Sequence, residues 1–525
     1  MSTRSLAASG RWGVATPHAM ASEVGADVLR NGGNAVDAAL AAAAVLAVVL
    51  PNQCALGGDL IALVGLPDGS AHVLNGSGRA PAGVDVEALR VGRDRIPVDG
   101  ALSVTVPGIV DGWHALARRW GTRPMSTALS LAAAVARDGT PVSAGLARDV
   151  AREAKRILAD PGLSQVLAPD GALLREGQTL RQPRLAATVD EIAAGGRDAF
   201  YSGDVATSLA STLRAHGSAM TTEDFSAHAS TVEEPLAVPF GDEEYLSSGG
   251  NTQGGFFLAA LRAVESLGHR LDPLGPDAGL LCRILAGLAA ARDAQLGDPS
   301  TAPCFDAAGI EQLAKQALAG GTSPVRSQGP APGGDTVAIV AADDSGHWVS
   351  IIQSVFHAFG SGLLDPVTGV LLHNRGAAFD LAPGSAAALA GGRRPPHTLM
   401  PVLVRDTGER LVGAHGTMGG RAQAQIHTHL ALHLALGRTV DDAVSAPRWL
   451  VGHMEAGGDE VPIVHYERDL PDQARRSLVG TGVPTSALPV HDDGAGHAQV
   501  VRSVGGTLHV ASDPRADGAA VTDES

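Results

Sequence analysis

Residues 333–354 read GGDTVAIVAADDSGHWVSIIQS, and the reading of this stretch decides the fold. Two β-rich runs, 336–342 and 347–354, flank Asp343-Asp344-Ser345-Gly346, a cluster of turn residues that signals a hairpin. In a hairpin centred on Ser345, residues equally far from the centre lie opposite one another, so Thr336 faces Ser354. Directly opposed Cβ atoms stand about 4.5–5.5 Å apart, which brings the two hydroxyls within reach. A slip of one residue would undo the pairing, because it turns every side chain to the other face.

Upstream, residues 322–335 are dominated by Pro, Gly and Ser and carry no apolar period, so a mobile loop is expected to lead straight into the first strand. Near the N-terminus, residues 20–30 have helical spacing and stop at Asn31-Gly32-Gly33. Asn34 then caps a second, alanine-rich helix that ends at Pro51. Its apolar run, 38–50, is shorter than the roughly 20 residues that cross a bilayer, so it reads as a buried helix. After Gly57-Gly58, residues 60–64 form a strand, and alternating helices and strands are expected to continue to about residue 320.

The chain has 525 residues and is 45% hydrophobic, enough for a large α/β body with a substantial core. Its 39 basic and 55 acidic residues give a net charge of −16, which repels phosphate backbones and anionic lipid. Neither a nucleic acid nor a membrane is an expected partner. Cys54, Cys282 and Cys304 are odd in number and widely spaced, which suits buried thiols better than disulfides or a zinc knuckle. The first residues lack the apolar core of a secretory signal, so the expected location is cytoplasmic.

Gly419 and Gly420 precede a helical run, 423–436, that stops at Gly437. Glycines at a helix N-terminus leave backbone N–H groups aimed at an anion, although a plain glycine loop has the same sequence. His429 and His433 are four apart on that helix, but no third ligand accompanies them, so they read as structural and no metal is expected.

Together these residues resemble the gamma-glutamyltranspeptidase family along nearly the whole chain. The blocks that carry the resemblance are GVATPHAMASEVGADVLRNGGNAVDAALAAAAV, VTVPGIVDGW, GDTVAIVAADDSGHWVSIIQS, FGSGLLDPVTGVLLHNRG, GTMGGRAQAQIH, DDAVSAPRW, GHAQVV and ASDPRADGAA. The resemblance implies an α/β fold, the αββα four-layer sandwich of N-terminal-nucleophile hydrolases. It implies a precursor cut between Asp335 and Thr336 into a large subunit, 1–335, and a small subunit, 336–525, that stay associated. Whether such heterodimers pair further is left open. Thr336 would attack the Asp335 carbonyl, and after scission its free amine would serve as base for its own hydroxyl. Ser354 stands where the family carries a second Thr, and Gly419 and Gly420 match an oxyanion-hole pair. No cofactor is implied.

The substrate end departs from the family. True gamma-glutamyl enzymes carry an Arg-Glu-(Thr or Met)-Ala-Pro motif, where this chain has Ser77-Gly78-Arg79-Ala80-Pro81. Their amine-gripping acidic and amide positions fall on Phe356, Arg375 and Ala378, and their paired serines on His397 and Thr398. These departures look like the branch that includes oxamate amidohydrolase, with Asn374, Arg375, His397 and Thr398 at the substrate pocket. Arg375 either binds a substrate carboxylate through its planar fork or is a salt-bridged or solvent-facing structural residue. The expected activity is hydrolysis of a small carboxylated amide. The alternatives are gamma-glutamyl or acylase-type transfer to an amine, and a processed pseudoenzyme serving as a scaffold.

Overall fold

The structure, a computed structural model, describes residues 5–300, 305–319, 335–452 and 462–524. Cys304 and nearly all of the loop expected before Asp335 lie outside the described residues.

Fourteen strands make two seven-stranded antiparallel sheets. In chain order they are β1 (Ala7–Gly10), β2 (Gly13–Thr16), β3 (Asp59–Gly65), β4 (Ala71–Asn75), β5 (Thr231–Glu233), β6 (Leu236–Phe240), β7 (Glu243–Ser247), β8 (Asp335–Ala342), β9 (Trp348–Phe356), β10 (Val402–Asp406), β11 (Leu411–Thr417), β12 (Ala498–Val504), β13 (Thr507–Ser512) and β14 (Ala519–Thr522). One sheet runs β14-β2-β8-β9-β3-β4-β5 and the other β1-β13-β12-β11-β10-β7-β6.

Alternation along the strands builds the layers. Val337, Ile339 and Ala341 point to a helical layer that contains α1 (Ala19–Arg30), α2 (Ala35–Val49), α3 (Ile109–Trp120) and α4 (Met125–Asp138). Ala338, Val340, Ile352, Leu403, Ala414 and Val501 fill the space between the two sheets. The far face of the second sheet packs on α5 (Gly254–Glu265), α6 (Ala278–Gln295) and α7 (Gln423–Ala435). The order of layers is therefore αββα.

The hairpin β8–β9 has the register read from the sequence, with Thr336 opposite Ser354 and Ala342 opposite Trp348. Asp343 fixes its turn by accepting hydrogen bonds from the N–H groups of Ser345 and His347, each 3.0 Å. The other Asp343 oxygen accepts from Ala35 N at 2.8 Å, which pins the turn to the start of α2. There Asn34 and Asp37 form a reciprocal capping box, so the glycine stop and the capping residue act as their chemistry predicts.

The expected alternation of helices and strands up to residue 320 holds only in part. Between Asn75 and Thr231 the described strands are two short ones, Thr140–Pro141 and Thr179–Leu180, and helices dominate. The alanine-rich periods there build the helical layer rather than sheet, because small residues allow helices to stack closely. No helix among the described residues is long and apolar enough to cross a membrane.

Candidate active site

Thr336 is buried at the start of the central strand β8, with its side chain in the space between the sheets. Its Oγ1 donates to Ser354 Oγ at 3.1 Å. Ser354 Oγ in turn donates to the backbone carbonyl oxygen of Asp335 at 2.6 Å and accepts from Phe356 N at 2.7 Å. The serine hydroxyl thus joins the Thr336 hydroxyl to the carbonyl on the N-terminal side of the same residue. The ladder shifts register between Asp335 and Thr336, which bends the strand at the bond in question.

Gly419 and Gly420 lie between β11 and α7 with φ of 145° and 52°, conformations that side-chain-bearing residues rarely adopt. A short 3₁₀ turn, Gly420–Ala422, carries them into the helix. Among the described residues neither glycine N–H has a partner, so both donors remain available at a helix N-terminus. Gln253, which sequence reasoning missed, donates through Nε2 to Gly420 O at 2.8 Å and to Thr398 O at 2.6 Å. It ties the glycine turn to the segment carrying His397 and Thr398.

Arg375 is fully buried and stacks on Phe356, with Cζ 3.9 Å from the ring centroid. Its Nη1 donates to Thr398 Oγ1 at 3.1 Å, while Nε and Nη2 have no hydrogen-bond partner among the described residues. Among those residues it makes no salt bridge, and it does not face solvent. Burial pushes its pKa down to about 9, against the attraction of Asp59. Asp59 was also missed: it opens β3, pairs in register with Ser354, and is fully buried. Its Oδ1 accepts from Gly78 N at 3.2 Å, and its Oδ2 lies 3.1 Å from His397 Nε2 and 3.5 Å from His373 Nδ1. Burial opposes the Asp59 charge, but His373, His397 and Arg375 together hold its pKa below the usual carboxylate range. Asn374 is used differently. Its Nδ2 is 3.0 Å from both Val98 O and His357 Nδ1, and its Oδ1 accepts from His357 N, so its amide braces the loop.

A cleft of about 1280 Å³ opens on Asp335, Met418 and Gly419, with Arg148, Arg152 and Asp493 among its walls. The Asp335 carboxyl is buried close to Asp149 and Asp493, and Arg152 is 3.9 Å away. Burial, then the two neighbouring carboxylates, raise its pKa well above the usual range. His429 and His433 are buried on α7, and His429 packs against Trp449 with ring centroids 4.6 Å apart. Cys54 and Cys282 are buried free thiols whose pKa values burial pushes up, which leaves them unreactive.

Comparison with known proteins places this geometry in context. The gamma-glutamyltranspeptidase family profile matches residues 21–522. The chain is 35% identical to an oxamate amidohydrolase proenzyme of Klebsiella pneumoniae, over 96% of this chain and 97% of that one. It is 33% identical to a glutathione hydrolase-like YwrD proenzyme of Bacillus subtilis, over 97% and 98%. A cephalosporin acylase from Bacillus halodurans has a TM-score of 0.88 and 29% identity, with 99% of this chain and 97% of that one covered.

Proposed function

The chain belongs to the gamma-glutamyltranspeptidase family, whose members are N-terminal-nucleophile hydrolases and transferases, and from that premise we propose that it is a self-cleaving amidohydrolase with Thr336 as nucleophile. The observation that carries the reading is the hydrogen-bond chain from Thr336 Oγ1 through Ser354 Oγ to the Asp335 carbonyl. In the precursor, Thr336 Oγ1 attacks the Asp335 carbonyl carbon. Ser354 relays a proton, accepting that of the threonine hydroxyl as it passes its own to the carbonyl oxygen. That proton moves to the peptide nitrogen, which leaves as the amine of Thr336, and water hydrolyses the resulting ester. The two products stay together because their strands interleave: β8, β9 and β14 of the small piece alternate with β2 and β3 of the large one in a single sheet.

In the mature enzyme the Thr336 amine accepts the proton of its own hydroxyl, which attacks the substrate amide. The N–H groups of Gly419 and Gly420 stabilise the oxyanion, the leaving amine departs with the proton, and water releases the acyl group. The substrate is a small amide with a free carboxylate, oxamate-like, bound through the unpaired Nε and Nη2 donors of Arg375 beside Thr398 and His397. The resemblance to a relative named oxamate amidohydrolase proenzyme supports this choice. A second reading rests on the cleft, whose volume far exceeds an oxamate ion: an acylase-type reaction on an amide with a bulky group. Intact-mass analysis, followed by assays of the purified protein on oxamate, gamma-glutamyl-p-nitroanilide and acyl-amide antibiotics, tests the reading. An unbroken chain in an active preparation overturns it.

A further inference from the structure

His373 lies between Asp59 and the backbone of Thr105, and hydrogen-bond accounting at its ring leaves one proton unassigned. Its Nε2 is 2.9 Å from Thr105 O, a carbonyl that only accepts, so Nε2 carries a hydrogen. Thr105 Oγ1 is further off, at 3.3 Å. A neutral ring then turns the bare Nδ1 toward Asp59 Oδ2, 3.5 Å away, lone pair against carboxylate, and Nδ1 makes no hydrogen bond. The other neutral tautomer moves the same conflict to Thr105 O. Both contacts are satisfied only when both nitrogens carry hydrogens. His397 has no such vacancy: Nε2–H meets Asp59 and Nδ1 accepts from Leu399 N at 3.4 Å.

The charges nearby decide when the extra proton arrives. Facing His373 are Asp59 from β3, Arg375 from its own loop, and His397 from the segment before β10. His228, Arg394 and Tyr201 stand further out around Asp59. Without ligand, Asp59 and Arg375 balance each other. Burial lowers the His373 pKa most; Asp59 and the Thr105 carbonyl raise it, the Arg375 charge lowers it again, and the net shift is downward, so the ring is neutral at neutral pH. A carboxylate on the unpaired, buried Arg375 donors cancels the cation that disfavoured protonation and leaves Asp59 uncompensated. An excess negative charge buried at this depth is expensive, and a proton from solvent removes it.

We propose that His373 is a substrate-linked proton site, taking up one proton from solvent when a substrate carboxylate engages Arg375, so that Asp59, His373, Arg375 and the ligand are neutral together. The site thereby selects carboxylates over neutral amides, which bring no anion to offset the incoming proton. The inference rests on Arg375 as the carboxylate-binding residue, and its test separates the two.

Matured wild-type protein is titrated calorimetrically with acetate, glycolate and pyruvate, carboxylates that lack an amide to cleave, in buffers of different ionisation enthalpy. The expected result at pH 8 is uptake of about one proton per ligand bound, with the apparent Kd rising about tenfold per pH unit between pH 7 and 8. In His373→Gln, binding should persist without that uptake. Ring nitrogen shifts of labelled His373 in the wild-type protein should move to the doubly protonated position on saturation, a readout independent of whether the variant folds. Binding that is absent, or that Arg375→Gln leaves unchanged, overturns the Arg375 reading and the proposal with it. Binding that needs Arg375 but takes up no proton, or whose uptake survives in His373→Gln, overturns the proposal alone.

Discussion

Thr336 and Ser354 face each other across β8 and β9 with their hydroxyl oxygens 3.1 Å apart, and the serine also donates to the carbonyl of Asp335. One side chain therefore touches both the proposed nucleophile and the carbonyl of the bond it is proposed to cut. Purified wild-type protein should resolve into two pieces, one ending at Asp335 and one beginning with Thr336, whereas Thr336→Ala should remain a single chain. Ser354→Ala removes a buried hydrogen-bonded hydroxyl, worth about 1–3 kcal/mol in barrier, so maturation should slow roughly 5- to 150-fold. Ser354→Thr should retain most of the rate. Gel-resolved maturation time courses check all three, and a wild-type rate in Ser354→Ala would remove the serine from the mechanism.

The glycine turn makes a separate prediction. A Cβ on Gly419 would lie 2.6 Å from Ile426 Cδ1, and its φ of 145° is unfavourable for alanine. Gly419→Ala should therefore rotate the N–H out of line with a developing oxyanion while leaving the Arg375 region untouched. Turnover should fall tenfold or more with KM nearly unchanged. A rise in KM at constant kcat would place the glycine in substrate binding instead.

Asp335 should make the precursor sensitive to pH. Its pKa is raised in the folded chain by burial and by Asp149 and Asp493, so the folded state binds the proton more tightly than the unfolded state. The stability linked to that proton is complete below the ordinary aspartate pKa and is lost as pH climbs through the raised value. In the uncleaved Thr336→Ala background, adding Asp335→Asn should raise Tm at pH 8 and flatten its decline with pH. A lower Tm at pH 8 in the double variant would mean that Arg152 stabilises the charged form.

The hairpin register and the capped helix pair were legible because their signals are local: four turn residues around Ser345, a β-rich run on each side, and Asn34 three residues before Asp37. The pocket was not. Asp59, Gln253, His373 and His397 come from four distant segments that tertiary packing alone brings together. One signal was available: Asp59 opens an otherwise apolar strand, DLIALVG, and a carboxylate at the head of a buried strand requires partners. Its partners could not be named without the fold, since two of them are histidines that read equally well as core residues. Nor could sequence reveal that Phe356, adopting φ of 81°, would place its ring beneath Arg375.

With Arg375 as the proposed carboxylate-binding residue, the charges around it predict the choice of substrate. A gamma-glutamyl donor brings a carboxylate and an ammonium, and each must meet its opposite to offset the loss of water. Arg375 offers two donors that are unpaired among the described residues for the carboxylate. The nearest acid, Asp59, is buried and already accepts at Oδ1 from Gly78 N and at Oδ2 from His397, with His373 beside it, so an ammonium would have to compete with these partners for it. It would also sit beside a guanidinium, and the missing attraction and added repulsion together amount to several kcal/mol. Oxamate should therefore exceed gamma-glutamyl-p-nitroanilide in kcat/KM by orders of magnitude. Arg375→Gln should raise KM for oxamate at least tenfold and leave self-cleavage intact, because the precursor reaction uses no substrate carboxylate. Arg375→Glu with Ala378→Asp should shift the ratio toward the glutamyl substrate. Efficient cleavage of gamma-glutamyl-p-nitroanilide by the wild type, with no gain in the double variant, would show that the ammonium has a partner other than these residues.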